Sequence, residues 1–344
     1  MTPETEPAGE HRDDAMEGAS ADHAIPSTEI VSAANQGAPA TTPWTLANGT
    51  SANGLVSTPI EDQGYFPSLQ PVGPPLPRLI PNLGHTLLFF ALAIVMLGVG
   101  QVLGVVLLEQ THLFGHRSFQ ALFRLSADDA RLSLPVQAFS YALVAVVVIP
   151  VFGLLWHQPF GEGVHWNAAA ARRRLALLAL AGLAAGFGIG FFGNFLPMPK
   201  DPPIMQDMMK SPVGAWLMLA FGVSVAPLLE ELAFRGFLLP GLINFFRWLA
   251  RKSVMTEDAA KWIGVPVSIL ITSAAFAYMH SPQVSHAWGP LVLIGTVSLI
   301  LCIVRLAMNS VAAGVIVHAA YNLTLFAGML AQTGGFRHLD RLTT

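Results

Sequence analysis

Beyond residue 80 the chain carries seven apolar runs, near 84–108, 134–156, 175–197, 213–239, 263–281, 288–304 and 309–331. Each is close to the ~20 residues that a helix needs to cross the hydrocarbon core of a bilayer. No water is available there, and a helix satisfies its backbone hydrogen bonds within one segment. The expectation is an all-α polytopic membrane protein, a bundle of about seven transmembrane helices. Composition agrees, with 53% hydrophobic and only 11% charged residues and a mean hydropathy of +0.54; this is not the profile of a soluble enzyme. Gly182, Gly186 and Gly190 recur at four-residue spacing in the third run, and Gly100 and Gly104 do so in the first. Small residues so spaced allow close helix packing in lipid. Pro135 and Pro150 are expected to mark the ends of the second span or to kink it.

Charge is distributed unevenly. Residues 1–80 hold ten acidic and two basic side chains, a net of −8, whereas the remainder carries +5. Residues 1–80 are rich in Ala, Thr, Ser, Pro and Gly without apolar periodicity, and read as a disordered acidic tail. No basic segment leads into an early apolar run, so an ordinary signal peptide is not expected. The organisation expected is a tail over 1–80, a first set of transmembrane helices over 81–205, and a helical core over 206–335. No basic cluster is interleaved with aromatics, so no nucleic-acid partner is expected. The single cysteine, Cys302, rules out an intrachain disulfide and a four-cysteine zinc site. Loop cations set orientation. One side would hold Arg12, Arg78, Arg172, Arg173, Arg174, Arg247, Arg251, Lys252, Lys261 and Arg305; the other Arg117, Arg124, Arg131, Lys200, Lys210, Arg337 and Arg341. The bias favours an integral, multi-pass protein with a cytoplasmic N-terminus.

Against this apolar background one hexapeptide stands out, Glu230-Glu231-Leu232-Ala233-Phe234-Arg235. A charge in hydrocarbon costs roughly 2.5–3.5 kcal/mol on insertion scales. Such groups persist where they pair, line a wet cavity or carry chemistry. On a helix Glu231 and Arg235 share a face at four-residue spacing and are placed to form an ion pair. Glu230 is turned about 100° away and is left as the free carboxylate.

Three more polar positions follow. His280 ends the fifth run, in Phe276-Ala-Tyr-Met-His280, and His318 and Asn322 share a helix face in the seventh. Glu230 and His280 reach one depth if an amphipathic segment, 241–252, prolongs the fourth helix. His318 joins them only if the 240–262 hairpin protrudes well beyond the membrane. Other intramembrane chemistries find little support. There is no His-Glu-x-x-His pair. Gly222-Val-Ser224-Val lacks the final glycine of a rhomboid-type serine site, and Asp201 and Asp207 fall in a Pro-rich loop rather than in a span. A carboxylate–histidine site that activates water remains.

The ordered set Glu-Glu-x-x-x-Arg at 230–235, Phe-x-x-x-His at 276–280 and His-x-x-x-Asn at 318–322 resembles the CPBP family. These are the CAAX-protease and bacteriocin-processing intramembrane endopeptidases, also called the Abi family. The resemblance covers about 213–327. It implies an endopeptidase acting on a membrane-associated protein or peptide, with a prenylated substrate as one of the types open. It also implies Glu230 as the base that activates water, Glu231 and Arg235 as paired structural charges, and His280, His318 and Asn322 as the remaining site residues. Two mechanisms follow from it. In one, zinc is held by Glu230, His280 and His318; in the other, Glu230 and His280 activate a metal-free water while His318 and Asn322 stabilise the oxyanion. The alternative from a different class is a non-enzymatic membrane protein, a transporter or an Abi-type immunity or scaffold protein. Polar groups concentrated in the second half, without an evident internal repeat, weigh against transport. Phe234, Phe237, Phe276 and Tyr278 are expected to be packing or lipid-facing aromatics rather than a prenyl pocket.

Overall fold

The computed structural model describes residues 77–199 and 210–342. Apart from residues 77–80, the expected acidic tail lies outside the described residues, as do Asp201 and Asp207. Every regular element among the described residues is helical. Seven helices are long and apolar enough to cross a membrane: α1 (Leu83–Thr111), α2 (Ala130–Trp156), α3 (Leu175–Gly193), α4 (Pro212–Arg251), α5 (Glu257–Met279), α6 (Trp288–Met308) and α7 (Val311–Thr333). The chain is an integral, multi-pass membrane protein with all seven expected spans in place.

Two of these helices determine where the site sits. α4 has 40 residues, about 60 Å at 1.5 Å per residue, roughly twice the hydrocarbon thickness. It absorbs the amphipathic segment past residue 239 and turns into α5 only after Arg251. The α4–α5 hairpin is therefore long enough to project beyond the membrane, as the sequence required for Glu230, His280 and His318 to share a depth. α7 is fixed at its start. The amides of Val311 and Ala312 donate to the carbonyls of His165 and Trp166 (3.0 and 3.2 Å), and the Ala313 amide donates to Oγ of Ser310 (3.1 Å). Three amides that a helix N-terminus leaves without intrahelical partners are thereby satisfied, which sets the height of His318 two turns on. His165 lies outside the spans. Burial, then the nearby Arg305 guanidinium, push its pKa below the ordinary value, so its ring is neutral at pH 7.

The small residues act as their spacing suggests, with one exception. A Cβ on Gly182 or Gly186 would run into Val317 and Thr324 of α7, so α3 lies directly on α7 only because these are glycines. Gly100 and Gly104 bring α1 against Ser140 and Val136 of α2. Gly190 meets nothing and faces away. Pro135 and Pro150 lie inside α2, which continues through both. Next to the charged hexapeptide, Phe89, Phe152, Trp156, Phe234, Phe237 and Phe276 form one buried cluster, in which Phe89 stacks on Phe237 with centroids 4.2 Å apart. Three of the four aromatics considered for a prenyl pocket are thus buried, and Tyr278 is exposed on the outer face of α5.

One charge is reassigned. Arg305, counted among the loop cations, is buried within α6, which runs one turn past its expected end. It does not contribute to the loop-charge asymmetry.

Candidate active site

α4 is not a uniform α-helix. It widens into π-turns over Phe221–Val225 and Leu232–Leu238, on either side of the short α segment Ala226–Glu231. Pro227 and Pro240 have no N–H to offer the carbonyls of Val223 and Gly236, four residues earlier. A helix deprived of such donors can absorb the gap by widening, and π-bulges occur frequently at functional sites. Neighbouring helices supply donors to carbonyls in both widened stretches. Asn322 Nδ2 donates to Gly222 (2.7 Å), Arg305 Nε to Arg235 (3.1 Å) and Thr86 Oγ1 to Phe237 (3.0 Å).

The α segment between the two π-turns presents its two glutamates to different surroundings. Glu231 and Arg235 are wholly buried and joined by a 2.9 Å hydrogen bond from Nη1 to Oε1. Arg235 Nη2 donates to both the hydroxyl and the carbonyl of Ser298 on α6 (2.7 and 3.0 Å). The guanidinium carbon lies 4.7 Å from the Phe276 ring centroid, in cation–π range. Glu231 Oε1 also accepts from Nδ1 of His318 (3.0 Å). Glu231 therefore does more than neutralise Arg235, since it also fixes the imidazole of His318. Its other oxygen, Oε2, has no hydrogen-bond partner among the described residues and faces Gly314, where a Cβ would stand 2.5 Å from it.

Glu230 lies on the more open side. Its side chain retains 16% exposure, and its Oε2 lies 3.7 Å from His318 Nε2 and 3.9 Å from His280 Nε2. These separations exceed a direct hydrogen bond. Tautomers follow from the partners at the other ring nitrogen. His280 Nδ1 lies 2.8 Å from the Phe276 carbonyl, which only accepts, so Nδ1 carries the proton. His318 Nδ1 faces an oxygen already accepting from Arg235, so it too is the donor. In the neutral rings both Nε2 atoms are then bare acceptors. Two imidazole nitrogens and a carboxylate converge on a gap without a proton between them.

All six residues singled out in the sequence are well placed among the helices, and five join this constellation directly. Asn322 does not join His318. Its amide is engaged with Gly222, so the shared face of α7 addresses α4 at two heights. The donor types, two imidazoles and a carboxylate, suit zinc. Nevertheless, no group of three or more His, Cys, Asp or Glu among the described residues is spaced to hold a metal ion. Ser224 donates to the Ala220 carbonyl one turn back, an ordinary role for a helical serine. Sequence reasoning missed Ser298, Gly314 and Arg305. Gly314 carried a usable signal, since it lies four residues before His318 and so shares its face. Ser298, one of two hydroxyl residues in an apolar run and 63 residues from Arg235, carried none.

The seven spans thus hold a carboxylate–histidine gap beside a buried ion pair. Residues 212–324 match the family model of the type II CAAX prenyl endopeptidases, Rce1-like, and this part of the chain is similar to that family. No curated protein and no solved structure gives a significant match.

Proposed function

We propose that the chain is an intramembrane endopeptidase in which Glu230 is the general base. The observation that carries this reading is the gap bounded by Glu230 Oε2 and the two bare Nε2 atoms at 3.7 and 3.9 Å. A water there would find three acceptors and, on binding a substrate, a carbonyl carbon. Glu230 takes one proton as the water oxygen bonds to that carbon, and His280 Nε2 accepts the other water hydrogen in a hydrogen bond. Protonated Glu230 then passes its proton to the amide nitrogen as the C–N bond breaks, releasing a carboxylic acid and an amine. His318, held through Nδ1 by Glu231, fixes the far wall of the gap. The substrate class is a membrane-associated protein or peptide. The family's name makes a prenylated Cys-aliphatic-aliphatic-X sequence the first to test.

Zinc bound by Glu230, His280 and His318 would supply a Lewis acid and a more acidic water. Elemental analysis of the purified protein distinguishes the two routes. About one equivalent per chain, lost in a His280→Ala, His318→Ala double variant, would establish the metal route. The reading as a whole is tested with an internally quenched farnesylated peptide in proteoliposomes. Glu230→Gln should abolish cleavage with normal expression and insertion, and unchanged cleavage would remove Glu230 from the mechanism.

A further inference from the structure

A cavity of about 690 Å³ opens where the start of α1, the end of α2 and the last turns of α4 meet. Arg78, Asn82, His85, Trp156, Trp248 and Arg251 are among the residues that line it, and among the described residues no acid does. Its wall is rich in donors. Arg251 reaches only the Pro77 carbonyl (3.0 Å), and neither it nor Arg78 has an acidic partner among the described residues. The amides of Leu83 and Gly84, the first two of α1, come too early for an intrahelical acceptor and have no other among the described residues. His85 Nδ1 accepts from the Asn82 amide (3.1 Å), so Nε2 carries the hydrogen of the neutral ring. Trp156 is 4% exposed, and its indole N–H has no partner among the described residues. The side-chain acceptors of the wall are in use, Asn82 Oδ1 by the His85 amide and Asn244 Oδ1 by Arg247. Two cations and a helix N-terminus around one donor-rich cavity suit an anion.

Its depth selects the source of that anion. α1 has 29 residues, about 43 Å, and outruns the ~30 Å hydrocarbon core, so its first turn stands at headgroup level. Trp156 and Trp248 in the wall are of the type enriched at that depth. Leu83, also in the wall, shares one face of α1 with Leu87 and Ile94, both exposed. That apolar track leads from the cavity into the bilayer, as the acyl chains of a lipid require and a free phosphate ion does not. We infer that the cavity binds the phosphate headgroup of an anionic membrane lipid, with Arg78 and Arg251 as its charge partners and the chains lying along α1. Basic pockets between transmembrane helices hold such headgroups in the same way. The inference is independent of the endopeptidase reading, because none of its residues belongs to the Glu230 gap.

The test is native mass spectrometry of the full chain in a neutral detergent, titrated separately with dioleoyl phosphatidylglycerol and dioleoyl phosphatidylcholine. The wild type should retain one phosphatidylglycerol, with an affinity at least about fivefold above that for phosphatidylcholine, the scale of one interfacial charge. In the double variant Arg78→Gln, Arg251→Gln that affinity should fall about 30-fold, the scale for two interfacial cations. Arg78→Gln alone changes an exposed side chain without a hydrogen-bond partner among the described residues, and it should lose about fivefold; it carries the test if the double variant folds poorly. Lys252→Gln, Lys261→Gln removes two cations of the same hairpin that do not line the cavity, and it should leave the affinity unchanged. Equal retention of the two lipids by the wild type would overturn the inference. So would an equal loss in the Lys252, Lys261 control, which would mark diffuse surface charge rather than a site. Displacement of phosphatidylglycerol by millimolar inorganic phosphate would overturn the lipid assignment in favour of a free phosphate ion.

Discussion

Adjacent residues on one helix open onto two regions of opposite character. On one side Glu231, Arg235, Ser298 and His318 form a dry, hydrogen-bonded network in which the two charges have no solvent exposure. On the other, Glu230 keeps partial exposure and faces bare nitrogens across a gap. A buried ion pair is weak grounds for stability in itself, because desolvation offsets much of its Coulombic gain. What the comparison teaches is that one region fixes its side chains in place while the other leaves its acceptors free, the division that the proposed reaction would use. His318 links them, with one nitrogen in each.

The sharpest way to break this division is Arg235→Ala. It leaves Glu231 as an uncompensated charge with no solvent exposure, and breaking a buried pair typically costs about 3–5 kcal/mol. Folded yield and thermal midpoint in detergent should both fall steeply, with cleavage falling alongside. The double variant Glu231→Gln, Arg235→Gln leaves no orphan charge and should recover part of that stability. It should not recover full activity, since Glu231 also holds His318. Full recovery of cleavage would show that the orientation of His318 does not depend on the carboxylate.

Gly314→Ala tests the same region by volume rather than by charge. The added methyl would stand 2.5 Å from Glu231 Oε2, closer than a real Cβ approaches an oxygen. α7 or the glutamate must shift, and overpacking of this kind costs about 1–3 kcal/mol. Because Gly314 lies one turn before His318, the shift should also reduce cleavage. A variant with wild-type midpoint and rate would mean that the α4–α7 contact is looser than its distances indicate. Ser298→Ala is milder. Arg235 Nη2 loses the hydroxyl but keeps the Ser298 carbonyl, so the expected loss is about 1 kcal/mol, near the net worth of one hydrogen bond, read as a small drop in midpoint with kcat nearly unchanged.

The parts of this architecture that were legible in the sequence are those governed by local periodicity. Seven apolar runs gave seven helices, and four-residue spacing gave the Glu231–Arg235 pair and set Glu230 apart. Counting residues set a long α4–α5 hairpin as the condition for Glu230, His280 and His318 to share a depth, and α4 at 40 residues is long enough to meet it. What was not legible depends on contacts between distant segments. Nothing local indicates that Ser298 completes the coordination of Arg235, or that Asn322 is taken up by Gly222. The Asn322 bond is one of three in which carbonyls of the two widened stretches of α4 accept from α1, α6 and α7; the Ser298 bonds run the other way, from the Arg235 guanidinium to α6. Arg305 misled for the same reason. A cation at the end of an apolar run resembles a loop charge until a backbone carbonyl is found waiting for it inside.

The smallest expected effect on stability is the most informative about the comparison. Glu230→Gln keeps the size and polarity of the side chain and removes its charge. The carboxylate has no hydrogen bond to lose among the described residues, since its nearest partners, at 3.7 and 3.9 Å, are too distant. The amide hydrogens of glutamine face bare imidazole nitrogens and can bond to them, which offsets whatever solvation the carboxylate enjoyed. The thermal midpoint should therefore stay within the shift expected of an unexceptional substitution, about 0.5 kcal/mol, while cleavage is lost. Unfolding scans in one detergent, run beside Arg235→Ala and paired with the cleavage assay, make the measurement. If Glu230→Gln loses as much stability as Arg235→Ala, then Glu230 belongs to the dry network, and the division between a positioning carboxylate and a reacting one is wrong. If it is markedly more stable than the wild type and inactive, the open region holds its charge at a cost to folding, as expected of a carboxylate kept for chemistry.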